Sequence, residues 1–215
     1  MRRLTMVENE LEVPIDSVVL LGRLSIPDNA KGIVLFAHGS GSSRQSPRNN
    51  YVAGVLQKSG FATFLFDLLT REEEAIDMYT RRYRFDIDLL SDRLVLVTDW
   101  ISKNYNYLQI GYFGASTGAA AAIISSVKSP GIRAIVSRGG RPDLAIDYLA
   151  ELKSPTLLIV GGYDIPVIKL NQTALERIAV EKKLEIVPGA THLFEEQGAL
   201  EQVARLAADW FLKYL

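Results

Sequence analysis

Apolar runs of strand length recur along this chain, and segments of helical pattern separate most of them. Residues 31–37, 61–67, 108–113, 132–137 and 156–160 are dominated by Ile, Val, Leu, Phe and Ala. Runs so short and so apolar fit strands covered on both faces, because a strand with one wet face alternates polar and apolar residues. Between them lie helical segments at 49–59, 119–127, 142–152 and 167–180, and a long one in which Leu90, Leu94, Val97 and Ile101 share a face. Strands at 10–15 and 18–27 precede this series, a last strand covers 183–187, and Val203, Ala207, Trp210 and Phe211 mark a closing helix. Residues 68–82 are mixed and charged, and read as a loop or short helical excursion. Such alternation predicts an α/β fold, a mostly parallel central sheet with helices on both faces. The 215 residues suit a single domain, 1–215, around one large core.

In a sheet of this kind ligands gather beyond the carboxyl ends of the strands. The run Gly114-Ala115-Ser116-Thr117-Gly118 stands at such an end, between strand 108–113 and helix 119–127. A sharp strand-to-helix turn there needs small residues on either side of its centre, and Gly114 and Gly118 supply them. The turn lifts the Ser116 hydroxyl above the sheet, which makes it a candidate nucleophile. It also aims the Thr117 N–H, at the start of a helix, toward developing negative charge. The glycine spacing does not fit a dinucleotide-binding G-x-G-x-x-G, and no P-loop pattern occurs.

A serine hydroxyl needs a base, and the chain has two histidines, His38 and His192. His192 follows the last strand in Pro188-Gly189-Ala190-Thr191-His192, within reach of the serine. Asp164, at the end of strand 156–160, is the carboxylate expected to orient it, although an aspartate there also suits a helix N-cap. Asp143 is the rival acid, placed in the first turn of its own helix. The order Ser116, Asp164, His192 is that of a hydrolase triad. His38-Gly39-Ser40-Gly41 follows another strand. The Ser40 N–H, with that of Thr117, would complete an oxyanion hole, and His38 either anchors this loop or touches substrate. Arg138 and Arg141, after strand 132–137, are candidate substrate contacts for an anionic group. The alternative is that Arg138 pairs with an acidic neighbour such as Asp143 while Arg141 is solvated.

Composition narrows the rest. A net charge of −1 offers no basic field for nucleic acid or anionic lipid. The absence of cysteine excludes disulfides, thiolate metal sites and a cysteine nucleophile, and fits a cytoplasmic location. Arg2 and Arg3 have no apolar run behind them, so no signal peptide is expected, and no stretch is apolar enough to span a membrane. Neither metal nor cofactor is expected. The oligomeric state is left open.

Taken together, the strand ending in His38-Gly39, the turn around Ser116, Gly161-Gly162-Tyr163-Asp164 and Gly189-Ala190-Thr191-His192-Leu193-Phe194 resemble a small α/β-hydrolase of the dienelactone hydrolase-like group. The resemblance covers nearly the whole chain. It implies an α/β-hydrolase fold and a serine triad acting on a small-molecule ester. Dienelactone hydrolases carry cysteine at the turn, where this chain has Ser116, so a carboxylic ester or thioester is the expected substrate. No long insertion separates the serine helix from the acid strand, so no large cap domain is expected. A non-enzymatic scaffold that binds a ligand or partner protein is the competing reading.

Overall fold

The computed structural model describes residues 6–215; the two arginines near the start lie outside them. Its strands are β1 (Met6–Ile15), β2 (Val18–Pro27), β3 (Gly32–Ala37), β4 (Ala62–Phe66), β5 (Gln109–Ala115), β6 (Ile132–Arg138), β7 (Thr156–Gly161) and β8 (Lys182–Val187). They form one sheet in the order β1-β2-β4-β3-β5-β6-β7-β8. From β4 to β8 every pairing is parallel, while β1 and β2 form an antiparallel extension. The middle strands β3, β4 and β7 are buried at every position, as their unbroken apolar runs require.

Among the described residues six α-helices cover the sheet: α1 (Pro47–Lys58), α2 (Arg71–Thr80), α3 (Ile87–Asn104), α4 (Thr117–Lys128), α5 (Ile165–Arg177) and α6 (Ala199–Tyr214). On one face α1 and α6 bury Val52, Leu56, Val203, Ala207 and Phe211 against Val34, Phe36, Phe113 and Val136 of the strands. On the other, α3 and α4 bury Leu94, Val97, Ile101, Ala121 and Ile124 against Leu35, Tyr112 and Ile135. Tyr112 is fully buried there, so its hydroxyl needs a partner, which it finds in Thr98 Oγ1 at 2.6 Å. Fully buried side chains such as Phe36, Phe64, Phe113, Phe211 and Leu35 contribute about 1.5–3 kcal/mol each, so the sheet is a stiff platform for its carboxyl edge.

Three local readings change. The first strand begins at Met6 rather than near residue 10, carried by its antiparallel register with β2. The charged excursion contains a real helix, α2, started by a capping box: Thr70 Oγ1 accepts from the Glu73 N–H, and Glu73 accepts from the Thr70 N–H. The segment Pro142–Glu151 is a 3-10 helix broken at Ala145, not a regular α-helix. Its start at Pro142 is as expected for a residue without an N–H. This short segment is what joins β6 to β7 before the acid strand.

Candidate active site

The site is built from three turns at the carboxyl edge. At the first, β5 passes into α4 through Ser116, whose φ of 51° and ψ of −121° lie where a serine rarely goes. The surroundings hold it there. Its N–H donates to Arg138 O (3.2 Å), and its carbonyl accepts from the Arg141 N–H (3.1 Å) and the Ala119 N–H (3.1 Å). Gly118 lets the helix start lie against the end of β3, since a Cβ there would stand 2.2 Å from Ala37 O. No side chain caps α4, so its leading N–H groups, Thr117 first, face the site without a side-chain acceptor.

The second and third turns bring the other two residues together. The Gly162 N–H donates to Val187 O and the Tyr163 N–H to Ala190 O, stitching the turn after β7 to the one after β8. A Cβ on Gly161 would collide with Ala190 O and Thr191 O at 2.5 Å. Across this seam His192 Nδ1 and Asp164 Oδ2 lie 2.6 Å apart. Asp164 occupies the N-cap position of α5, but its side chain makes no capping bond. Its carboxylate is committed to the imidazole instead, and in a neutral ring that pairing puts the proton on Nδ1 and leaves Nε2 as the acceptor. Asp143, the rival acid, is engaged by Arg141 in a two-pronged pair at 2.9 and 2.7 Å.

Gly139 joins the first turn to the third. It has a φ of +52°, and a Cβ on it would meet His192 O at 3.2 Å and the ring carbon Cε1 at 3.4 Å. The imidazole thus rests on the backbone of the loop whose neighbours, Arg138 and Arg141, hold Ser116. Nothing in the sequence around the glycine pair after β6 signals this contact with the histidine.

The loop after β3 departs from expectation at Ser40 and decides between the two roles open to His38. The Ser40 N–H donates to Thr117 Oγ1 at 2.9 Å, so this expected oxyanion donor is engaged within the protein. The threonine hydroxyl ties the loop to the serine turn. His38, in turn, has both ring nitrogens in use. Nδ1–H donates to Gly39 O (2.9 Å), and Nε2 accepts from the Leu68 N–H (3.0 Å). Burial lowers its pKa, which keeps it neutral, as an Nε2 acceptor must be. It is an anchor for the loop, and no ring nitrogen is left for a substrate. Gly39 brings that loop to Ser116, with a notional Cβ only 3.1 Å from Ser116 Cβ. A cavity of about 30 Å³ opens behind the loop, lined by Leu68, Leu69, Leu90 and Arg84 among others.

The two arginines part company. Arg141 takes the carboxylate of Asp143, the neighbour that the alternative reading gave to Arg138. Arg138 sits on β6 facing α1, where the residue is 6% exposed and its guanidinium donates to Asn49 Oδ1 at 3.2 Å. Strand alternation is the reason: Ala134, Val136 and Arg138 share the face covered by α1 and α6. Among the described residues no three His, Asp or Glu side chains are grouped so as to hold a metal ion, and no helix is long and apolar enough to cross a membrane.

The fold has close counterparts. A dienelactone hydrolase from Anabaena variabilis is 58% identical, superposes with a TM-score of 0.96, and is matched over 98% of this chain and 99% of its own. Est1E from Butyrivibrio proteoclasticus shares the fold at 15% identity, with a TM-score of 0.80 over 95% of this chain and 98% of its own. A protein of Mycobacterium tuberculosis named as a putative phosphoribosyl transferase is 54% identical over 211 residues, 97% of this chain and 47% of that protein. The chain therefore spans about half the length of the curated relatives it matches. The profile of the dienelactone hydrolase family matches residues 20–214. With nearly its whole length inside that match, and with the sheet, turns and edge of an α/β-hydrolase, the chain belongs to the dienelactone hydrolase family.

Proposed function

We propose that this chain is a serine hydrolase that cleaves small carboxylic esters or thioesters through an acyl-enzyme. The observation that carries the reading is the 2.6 Å pairing of His192 with Asp164, made by a carboxylate that forgoes its own helix cap. In this reading Ser116 Oγ attacks the carbonyl carbon while His192 Nε2 takes its proton. Asp164 keeps the imidazole in the right tautomer and stabilises the cation that forms. The carbonyl oxygen becomes an oxyanion held by the Thr117 N–H. Ser40 supplies the second N–H once Thr117 Oγ1 lets it go. His192 then protonates the leaving alcohol or thiol. Water, activated by the same imidazole, releases the acid.

Exposed apolar residues stand beside the reactive ones. Ile165 follows Asp164, Leu193 follows His192, and Leu144 lies three residues past Arg141. They favour a substrate with an apolar portion. The joining of β6 to β7 by the short 3-10 segment favours a small one. The putative transferase name attached to the longer relatives concerns proteins of about twice this length, and the chemistry proposed for this chain is acyl transfer to water.

The test is turnover of p-nitrophenyl esters of graded acyl length by the wild type and by Ser116→Ala. Hydrolysis that the substitution abolishes in a folded protein supports the reading. Equal turnover by both proteins contradicts it. No turnover by either, with retained ligand binding, favours the non-enzymatic scaffold.

A further inference from the structure

The least comfortable residue beside the site is Arg138. Its guanidinium is buried, its Nε meets no acceptor among the described residues, and no described carboxylate pairs with it. Burial, with the charge of Arg48 added, pushes its pKa down to about 10. A buried cation without a counter-charge costs stability, and an apolar side chain of similar volume is often better tolerated. Something other than stability should therefore account for an arginine here.

Its contacts suggest what. The Arg138 carbonyl accepts from the Ser116 N–H at 3.2 Å. Its guanidinium donates to Asn49 Oδ1 at 3.2 Å, in the first turn of α1, the helix that the oxyanion loop leads into. The same group lies over the ring of Phe194, 5.9 Å from its centroid. Phe194 is two residues beyond His192, fully buried, and has a φ of +56°, a conformation an aromatic residue adopts only when its surroundings impose it. One residue thus touches the serine turn, the start of α1 and the histidine loop.

Resting on the hydrolase reading above, we propose that Arg138 is a positioning residue, whose guanidinium clamps Phe194 against α1 and so sets the height of the His192 imidazole over Ser116. A planar cation is suited to this because it can stack on a ring and donate sideways at once. Leucine or methionine could fill the space but not fix the angle.

The experiment compares wild type, Arg138→Met, Arg138→Lys and Phe194→Leu. It uses p-nitrophenyl butyrate and the p-nitrophenyl monoester of succinic acid, with thermal unfolding measured alongside. The proposal expects Arg138→Met to lower kcat on both esters by about 10- to 100-fold, since small misplacements of reacting groups cost that much. KM should stay within about threefold, and Tm should hold or rise as the buried charge disappears. Lysine, a cation without the plane, should restore little. Phe194→Leu should lower kcat similarly, and the double variant should lose less than the two single effects combined. Wild-type kcat in Arg138→Met overturns the proposal, as does a kcat loss that merely follows the unfolded fraction. A loss confined to the succinate ester overturns it in favour of an anion-binding role. If Arg138→Met does not fold, normal kcat in folded Phe194→Leu overturns it equally. Failure of the wild type on every ester would instead strike the hydrolase reading itself.

Discussion

Asp164 stands at the N-terminus of α5, yet its carboxylate accepts from His192 Nδ1 at 2.6 Å and leaves its own helix uncapped. An aspartate in that position ordinarily bonds to the second or third N–H of the helix. Here the helix forgoes that bond, and the imidazole gains a fixed tautomer.

The first prediction follows. Asp164→Asn keeps the size and the hydrogen-bonding reach but removes the charge that stabilises an imidazolium. Ester turnover should fall by on the order of 10³- to 10⁴-fold. Helix content should not change, because no capping bond is lost. Steady-state kinetics and circular dichroism on one preparation check both halves.

Gly139 gives the second. Alanine there would have to adopt a φ of +52° with its Cβ 3.2 Å from His192 O. The strain is worth about 1 kcal/mol, and the contact pushes the histidine loop away from the serine. Gly139→Ala should lower kcat by at least about tenfold with a modest fall in Tm. A variant with unchanged kcat would show that the loop does not support the imidazole.

The third concerns the oxyanion loop. The Ser40 N–H is held by Thr117 Oγ1 at 2.9 Å. Thr117→Val removes that acceptor while keeping the backbone N–H of residue 117. If Ser40 is the second oxyanion donor, the valine variant frees it, and kcat should stay within about threefold of wild type or rise. Loss of one such donor typically costs about 10²- to 10³-fold. A fall of that size in Thr117→Val would mean that the hydroxyl itself, or the loop position it fixes, is needed.

How much of this the sequence foretold depends on whether the cause was local. The strands β3, β4 and β7 and the serine turn were legible because apolar runs and paired glycines act within a few residues. The helix α2 was half-legible, its Thr70–Glu73 box lying inside a charged stretch without an apolar face. The bonds that decide the site are between residues distant in the chain. Nothing near Ser40 announces Thr117, and nothing near Arg138 announces Asn49 or Phe194. The sequence named Asp164 and His192 by order and position, but only the fold shows the carboxylate turned from its helix to the ring. For the same reason the alternative that pairs Arg138 with an acidic neighbour such as Asp143 fails: strand alternation sends Arg138 to the α1 face and leaves the aspartate to Arg141.

The fourth prediction is one of stability against pH. Burial lowers the folded pKa of His38, whose Nε2 accepts from the Leu68 N–H. A histidine whose folded pKa lies below its unfolded value contributes stability that is fully present above the unfolded value, about 6.5. That stability is lost as the pH falls below it, because the unfolded chain then binds the proton more readily. Unfolding by urea should thus become easier between about pH 7 and pH 5. His38→Gln should flatten that dependence, while His38→Ala should cost about 1–3 kcal/mol at pH 7 by leaving the Leu68 N–H unpaired. A pH dependence identical in wild type and His38→Gln would contradict this account.

The central claim is that Ser116 is a nucleophile activated by His192. Intact mass followed by peptide mapping after treatment with a fluorophosphonate tests it most directly. The account predicts a single adduct on Ser116, absent in Ser116→Ala and formed at least about 10³-fold more slowly in a folded His192→Ala protein. An unlabelled wild type, or an adduct at another residue, would contradict it.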